Sequence, residues 1–347
     1  MTKPFLVILI ASSLISCSQQ SGEALPQLGI DDTQTSASGL SAGAYMAGQL
    51  QVAHSNDMIG AALIAGGPYG CAETGTGFLP AAARNLTQAL EGCMADKLRS
   101  EGIPHVPELV DRATALSSKG KIDPLAGVNS DKIYLFSGGA DQIVSPSIVQ
   151  AAKDFYTRTG VAEANIKFDS HKDAGHAFVT SDSGTTCGVS ASPFLNDCDY
   201  DQAGALLNWL YGDLAAPADR PAGKFVRFNQ LQFTTNGSAD LSEEGIVYVP
   251  PSCRKEAGCR LHIALHGCEQ NANTVGMSFV EGSGFARWAD TNRLVILYPQ
   301  VSESILNPKG CWDWWGYTAE DYLTKEAPQI AAIWKMVERL AMGLAQS

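Results

Sequence analysis

Short apolar runs alternate with helical stretches over roughly the first two thirds of the chain. The apolar runs predict strands at 33–38, 59–65, 132–137 and 166–169. A helical stretch over 202–210 follows the last of these runs. Strands that alternate with helices are typical of an α/β fold with a largely parallel sheet.

The pattern changes after an interruption at 215–223 that contains proline and glycine, and that taken alone would suggest a domain linker. The runs 225–233 and 245–249 alternate apolar with polar residues. They predict an antiparallel pair of strands, with Asn236 and Gly237 in the connection between them.

Two continuous apolar runs follow, at 261–265 and 294–298, and predict buried parallel strands. The stretch 285–292 between them has helical character. A last helix is expected over 327–344, where apolar residues recur at helical spacing. The second part of the chain therefore also predicts strands and helices in one packed sheet.

The segment Ser38-Gly39-Leu40-Ser41-Ala42-Gly43 lies where the first strand should pass into a helix. Its G-x-S-x-G pattern is typical of a nucleophile elbow, a tight turn that exposes one serine hydroxyl. The glycines are needed because a side chain at either position would clash across the turn. A surface Gly-Ser turn is the plain alternative, so Ser41 needs chemical partners before it counts as a nucleophile.

Two polar residues that follow later strands supply those partners. A serine hydroxyl needs a base to take its proton, and the base needs a carboxylate to fix its tautomer. Asp141 follows the third predicted strand and His176 follows the fourth. Parallel strands end at one edge of a sheet, so Ser41, Asp141 and His176 should meet there, in the chain order of α/β-hydrolases. His171 and Asp173 are competing candidates, and His171 is expected to point into the packing.

Acyl transfer also needs N–H donors for the developing oxyanion. In α/β-hydrolases the residue after the nucleophile supplies one, here Ala42, and a loop after an earlier strand supplies the other. The segment Leu265-His266-Gly267-Cys268 follows a buried strand but comes after Ser41 in the chain. A circular permutation explains this order. Hydrolase strands one to four would come from residue 225 onward and strands five to eight from 33–169, so the interruption at 217–223 would join the usual termini.

Charge and the N-terminal residues narrow the functional classes. The net charge is -12 and no basic cluster occurs, so we expect no nucleic-acid partner.

Lys3 and the apolar run after it predict a signal peptide over 1–16. Leu14-Ile15-Ser16-Cys17 resembles a bacterial lipobox, so Cys17 should carry a lipid anchor on a polar tether, 17–30, ahead of one catalytic domain, 31–347. An ordinary cleaved secretory signal is the alternative.

Eight cysteines remain once Cys17 is set aside, and an even number in an exported chain predicts disulfides. Eight cysteines allow 105 connectivities, and the sequence does not choose among them. Pairing between neighbours along the chain would join Cys71 with Cys93, Cys187 with Cys198, Cys253 with Cys259, and Cys268 with Cys311. No C-x-x-C and no His-Cys cluster with zinc spacing occurs, so we expect neither a metal nor a cofactor.

Five segments stand out together: Gly39-Leu40-Ser41-Ala42-Gly43, Ala65-Gly66-Gly67-Pro68-Tyr69-Gly70-Cys71, Ala174-Gly175-His176-Ala177-Phe178, Leu265-His266-Gly267-Cys268 and Cys311-Trp312-Asp313-Trp314-Trp315. Together they resemble the extracellular poly(3-hydroxybutyrate) depolymerases, in particular their circularly permuted, single-domain type. The resemblance runs from about residue 33 to the C-terminus. The lipid anchor and the lack of a separate substrate-binding domain depart from that family.

The resemblance implies a permuted α/β-hydrolase fold and a set of roles. Ser41 would be the nucleophile, His176 the base and Asp141 the acid that orients the base. The backbone N–H groups of Ala42 and Cys268 would form the oxyanion hole. A disulfide between Cys268 and Cys311 would then hold the Cys268 N–H in place.

An aromatic segment provides candidates for substrate contact: Trp312, Trp314, Trp315 and Tyr317. Aromatic faces offer a large contact area for an apolar polyester chain at low entropy cost. We expect at least two of the tryptophans to lie in the core, and one or two to line a crevice.

The sequence thus predicts an exported, monomeric serine esterase that hydrolyses poly- or oligo(3-hydroxyalkanoates). It would be anchored at the bacterial outer membrane or cell surface, or else secreted or periplasmic. The rival among enzymes is a feruloyl or acetyl-xylan esterase, since similar catalytic elements serve those substrates. A non-catalytic surface lipoprotein is the rival from another class, but a pure binder does not need serine, histidine and aspartate together. A peptidase is disfavoured because nothing indicates a peptide subsite.

Overall fold

A central sheet of eight strands, most of them parallel, organises the structure. The structure, a computed structural model, describes residues 22–75, 77–94, 105–235 and 239–344. The strands of this sheet are β1 (Thr35–Leu40), β2 (Met58–Ile64), β3 (Lys132–Gly138), β4 (Ile166–His171), β8 (Lys224–Asn229), β9 (Glu244–Val249), β10 (Arg260–Leu265) and β11 (Leu294–Tyr298). A small second sheet contains β5 (Phe178–Thr180), β6 (Thr185–Thr186) and β7 (Leu195–Asp197).

Helices occupy most of the connections, and several of them pack directly against the central sheet. They are α1 (Ala42–Ala53), α2 (Ala81–Thr87), α3 (Val106–Ser118), α4 (Pro146–Thr159), α5 (Gln202–Tyr211), α6 (Ala272–Val275), α7 (Ser278–Gly282), α8 (Phe285–Asn292) and α9 (Pro328–Ala341). A π-helical turn, Gln88–Gly92, continues α2. Short 3-10 turns occur at Asp32–Gln34, Leu125–Ser130, Glu163–Asn165 and Leu231–Phe233.

The strand order confirms the expected permuted fold. It runs β8-β9-β11-β10-β1-β2-β3-β4, and β9 is antiparallel to both of its neighbours. In the hydrolase numbering introduced above this order is 1-2-4-3-5-6-7-8. The strand that carries the serine, β1, therefore lies in the middle of the sheet beside β10, although it comes first along the chain.

Differences from the predicted elements are confined to their ends. The run 225–233 divides into β8 and the 3-10 turn Leu231–Phe233, and α9 ends three residues before 344, at Ala341. The connection with Asn236 and Gly237 lies outside the described residues. The interruption at 215–223 packs on α8, where the Ala218 N–H donates to the Arg287 carbonyl at 3.0 Å.

A buried histidine explains how β1 can carry two buried serines. The ring of His262 on β10 lies 2.7 Å from the Ser36 hydroxyl through Nδ1 and 2.7 Å from the Ser38 hydroxyl through Nε2. Burial lowers the pKa of His262 to about 3, so the ring is neutral at physiological pH. We infer that His262 links β1 to β10 and has no part in catalysis.

The four disulfides join neighbours along the chain, which confirms the simplest of the open connectivities. The pairs are Cys71 with Cys93, Cys187 with Cys198, Cys253 with Cys259, and Cys268 with Cys311.

The predicted signal peptide and Cys17 lie outside the described residues. Within the described ranges, no helix has both the length and the apolar character needed to cross a membrane.

A buried carboxyl group just before β3 makes the folded state sensitive to pH. Asp131 is 3% exposed, and its carboxylate accepts a hydrogen bond from the side-chain amide of Gln51. Burial raises the pKa of Asp131 from 3.8 to about 7, and the hydrogen bond from Gln51 opposes this only in part.

We expect Asp131→Asn to gain stability over the wild type as the pH rises from about 4 to about 7. The unfolded chain releases the Asp131 proton near pH 4 while the folded state keeps it up to the raised pKa. Wild-type stability therefore falls over this interval, by up to about 4 kcal/mol. Urea unfolding of both proteins at about pH 5 and about pH 8 measures this. A difference in free energy of unfolding that is the same at both pH values would contradict it.

Candidate active site

Ser41 lies at the turn between β1 and α1 in a backbone conformation that few side chains adopt. Its φ is 56° and its ψ is -119°. The Ser41 N–H donates to the Ile64 carbonyl at 2.9 Å, and its carbonyl accepts from the Tyr45 N–H at 3.1 Å. A non-glycine residue at positive φ is strained, and such strain occurs often at functional turns. The residue is 8% exposed, so little of it reaches solvent.

The two glycines of the elbow are needed because a side chain at either position would clash with nearby backbone, as the pattern suggested. A Cβ on Gly39 would lie 2.2 Å from the backbone of Gly43, across the turn. A Cβ on Gly43 would lie 2.5 Å from the carbonyl oxygens of Leu265 and His266. The second glycine therefore allows α1 to approach the segment that follows β10.

Asp141 and His176 meet at the carboxyl ends of β3 and β4. His176 Nδ1 lies 2.8 Å from Asp141 Oδ2, and both side chains are almost completely buried. The other oxygen, Oδ1, accepts the N–H groups of Ile143 at 2.7 Å and Val144 at 2.9 Å. Asp141 is thus fixed on both sides and holds the proton of His176 on Nδ1. The remaining ring nitrogen, Nε2, is then available as a base.

The two competing residues lie elsewhere. His171 ends β4 and lies beside the Cys187–Cys198 disulfide, with Nδ1 3.8 Å from Cys187 Sγ. Those three residues come close together, but a disulfide offers no thiolate to a metal. Asp173 is exposed. Neither competitor lines the cavity that contains Ser41.

Ser41 and His176 line the same cavity. Among the described hydrogen bonds none joins the Ser41 hydroxyl to the His176 ring. Such bonds are often long in a hydrolase without substrate and shorten when substrate binds.

The residues expected to form the oxyanion hole lie on either side of Ser41. Ala42 is the first residue of α1, and Cys268 lines the cavity from the segment after β10. The Gly267 carbonyl, which shares a peptide unit with the Cys268 N–H, accepts from His266 Nδ1 at 2.7 Å. His266 Nε2 in turn accepts the Val301 N–H at 3.1 Å, so the tautomer is fixed. Burial lowers the pKa of His266 to about 4, which keeps the ring neutral.

The cavity has a volume of about 480 Å³ and is mostly apolar. Part of the lining comes from α2 and the π-helical turn, and another part comes from the segment 305–309. Apolar side chains from these parts are exposed at the rim: Leu86, Leu90, Ile305 and Leu306. An opening of this kind suits an apolar substrate that enters from an apolar surface.

The aromatic segment divides between cavity and core. Trp314 and Trp315 line the cavity, and Trp314 stacks on Tyr45 with ring centroids 4.3 Å apart. Trp312 is fully buried beside the His266 ring, and the Tyr317 hydroxyl donates to the Cys311 carbonyl within the segment. Trp312 and Tyr317 are not among the cavity-lining residues, so the structure lends no support to substrate contact by these two side chains.

Several cavity residues could not have been identified from the sequence. Tyr45, Met94 and Phe194 line the cavity, yet in the sequence they look like ordinary core residues. The exposed leucines of α2 and the π-helical turn give no signal of their own, because exposure is decided by the tertiary fold. Among the lining residues, Ser41, His176 and Cys268 were marked by their positions after predicted strands.

Two curated relatives cover most of the chain. "Poly(3-hydroxybutyrate) depolymerase" of Delftia acidovorans is 42% identical over 324 residues, which are 92% of this chain and 62% of that protein. "Polyhydroxybutyrate depolymerase" of Talaromyces funiculosus is 33% identical over 348 residues, which are 95% of this chain and 96% of that protein. The chain thus spans less than two thirds of the first relative and nearly all of the second. No protein-family model matches.

Two solved structures are similar over the whole fold. One is a PHB depolymerase with a serine-to-alanine substitution, complexed with an R3HB trimer; it is 31% identical, with a TM-score of 0.81. The other is the crystal structure of PHB depolymerase from Penicillium funiculosum, at 32% identity and a TM-score of 0.81. Each match covers 93% of this chain and 100% of the solved chain.

Proposed function

This chain belongs to the poly(3-hydroxybutyrate) depolymerase family, and we propose that it is a serine esterase that hydrolyses poly- or oligo(3-hydroxyalkanoate) esters. The observation that carries the proposal is the Asp141–His176 pair, whose imidazole lines the same mostly apolar cavity as the strained Ser41. A buried carboxylate that fixes a histidine next to such a serine is the arrangement of a serine hydrolase.

The reaction proceeds through an acyl-serine intermediate. Ser41 Oγ attacks the ester carbonyl carbon while its proton passes to His176 Nε2. The carbonyl oxygen becomes an oxyanion, which the N–H groups of Ala42 and Cys268 stabilise. The C–O bond of the ester then breaks, and His176 gives its proton to the leaving alkoxide oxygen, which departs as an alcohol. Water repeats the sequence on the acyl group and frees the acid and Ser41.

The cavity supports an aliphatic polyester as the substrate. Trp314 and Trp315 contribute aromatic surface to the cavity that Ser41 lines, and the rim of this cavity is apolar. The solved relative binds a trimer of R3HB, which is an oligomer of this chemical class. A carbohydrate ester would require polar side chains for sugar hydroxyls. The charged side chains of the lining, Glu269 and Lys309, instead pair with each other at 3.0 Å.

We place the enzyme outside the cytoplasm. The four disulfides suit an oxidising compartment, and the N-terminal residues have the pattern of an export signal. The lipobox-like residues before Cys17 support a lipid anchor at the outer membrane or cell surface. In this proposal residues 31–347 form one catalytic domain that acts as a monomer.

A substrate panel tests the proposed function. The purified enzyme should release 3-hydroxybutyrate from amorphous poly(3-hydroxybutyrate) and from its short oligomers. It should act much more slowly on feruloyl and acetyl-sugar esters, because the cavity offers little for sugar hydroxyls. Faster turnover of the sugar esters would favour the carbohydrate-esterase alternative. A lack of activity on every ester, together with no labelling by a fluorophosphonate probe, would favour a non-catalytic protein.

A further inference from the structure

A buried glutamine joins the two sides of the candidate active site. Gln270 follows the oxyanion segment and is 1% exposed. Its Oε1 accepts the N–H of Gly267 at 2.8 Å. Its Nε2 donates to the carbonyls of Pro193 and Phe194, both at 2.9 Å. One side chain thus spans two loops that are more than 70 residues apart in the chain.

The first of these loops holds the oxyanion donor. Gly267 directly precedes Cys268, and its carbonyl is already fixed by His266. The hydrogen bond from its N–H to Gln270 fixes the peptide unit on the other side of the same residue. Gly267 carries no side chain, so these hydrogen bonds restrict its backbone in place of packing.

The second loop is the segment 187–198, which the Cys187–Cys198 disulfide closes. It contacts His176, which precedes it in the chain. The hydroxyl of Ser190 accepts the backbone N–H of His176 at 2.8 Å, and the Phe194 ring meets the His176 ring edge-on, with centroids 6.2 Å apart. A shift of Pro193 and Phe194 would therefore also shift the His176 ring, which contacts Phe194.

We propose that Gln270 is a positioning residue that holds the Cys268 N–H and the His176 ring in one fixed relation around Ser41. This inference rests on the proposed function. The two groups come from opposite sides of β1, one after β10 and the other after β4, so the sheet alone does not tie their loops together. Catalysis needs both groups in place at once, and a misplacement of about 1 Å can cost about 100-fold in rate.

Gln230 offers a matched control, because it makes the same pattern of bonds away from the cavity. It is fully buried, its Oε1 accepts the Gln300 N–H at 3.2 Å, and its Nε2 donates to the carbonyls of Ser242 and Gln300. None of these residues lines the cavity. Loss of either glutamine removes three hydrogen bonds from the interior, so both variants should lose stability.

The experiment compares Gln270→Met with Gln230→Met in the full chain, using p-nitrophenyl butyrate as a soluble ester below the melting temperature of both variants. We expect Gln270→Met to lower kcat about 10- to 100-fold with KM within about twofold of the wild type. Gln230→Met should keep kcat within about twofold. Equal kcat values for the two variants, at comparable melting temperatures, would overturn the proposal.

A second variant keeps the proposal testable if Gln270→Met does not fold. Gln270→Glu retains an acceptor for the Gly267 N–H but, when ionised, cannot donate to Pro193 and Phe194. Protonation of the introduced carboxyl group restores one hydrogen-bond donor. The ratio of variant to wild-type kcat should therefore be low at about pH 8 and rise as the pH falls. A ratio near one at every pH would contradict the inference.

Failure of the inference can be separated from failure of the proposed function. If the wild type hydrolyses the ester and Ser41→Ala does not, the proposed function stands, and the Gln270 variants decide the inference alone. If the wild type hydrolyses no ester, both are wrong.

Discussion

Ser41→Ala should abolish ester hydrolysis and leave the fold intact. We expect kcat to fall by at least about 10⁴-fold, since the proposed mechanism needs this serine for the covalent intermediate and none of the described cavity-lining residues can replace it. The Ser41 hydroxyl takes part in none of the described hydrogen bonds, so its removal costs the fold little. Alanine has the same Cβ, and the strain of the turn should therefore be unchanged.

Release of 3-hydroxybutyrate from a soluble trimer measures this effect, with thermal unfolding as the check on folding. Ser278→Ala is a suitable control. Its hydroxyl donates to the Val275 carbonyl at the surface, away from the cavity, so full activity is expected. Residual trimer hydrolysis by Ser41→Ala above a few per cent of the wild-type rate would refute the assignment of the nucleophile.

Asp141→Asn should produce the second large effect, a fall in kcat of roughly 10³- to 10⁴-fold. The N–H groups of Ile143 and Val144 both need an acceptor at Oδ1. The asparagine must therefore keep its oxygen there and turn its NH₂ group toward His176 Nδ1. That nitrogen can then only accept a hydrogen bond, and the ring proton moves to Nε2. A ring protonated at Nε2 cannot take the proton of Ser41.

Asp201→Asn provides the control for this substitution. Asp201 caps α5 through the Gly204 N–H at 2.8 Å and accepts Trp288 Nε1 at 2.9 Å, so it is another aspartate with both oxygens in use. It lies outside the cavity, and kcat should be retained. If the pH profile and kcat of Asp141→Asn matched those of Asp201→Asn, the orienting role of Asp141 would be wrong.

The sequence was informative wherever chemistry depends on local backbone geometry. Gly39 and Gly43 are required by contacts within the turn itself, and these follow from the G-x-S-x-G pattern without knowledge of the fold. Asp141 and His176 could be found because each follows a strand, and parallel strands end at one edge. The permuted order followed from the position of Leu265-His266-Gly267-Cys268 after the serine.

The sequence was less informative about the cavity walls. Trp312 and Trp314 are two residues apart and chemically identical, yet one is fully buried beside His266 and the other stacks on Tyr45 in the cavity. Which of the two lines the cavity is decided by side chains from distant parts of the chain. The role of Gln270 was hidden for the same reason, because its partners Pro193 and Phe194 meet it only in the folded protein.

Direct capture of the acyl-enzyme is the most decisive measurement. The enzyme would be mixed with the trimer of 3-hydroxybutyrate, quenched in acid within the first turnovers, digested, and mapped by mass spectrometry. An ester of 3-hydroxybutyrate on the peptide that contains Ser41, absent from Ser41→Ala, is the predicted result. A covalent adduct on a different residue, or the same peptide ester in Ser41→Ala, would contradict the proposed chemistry.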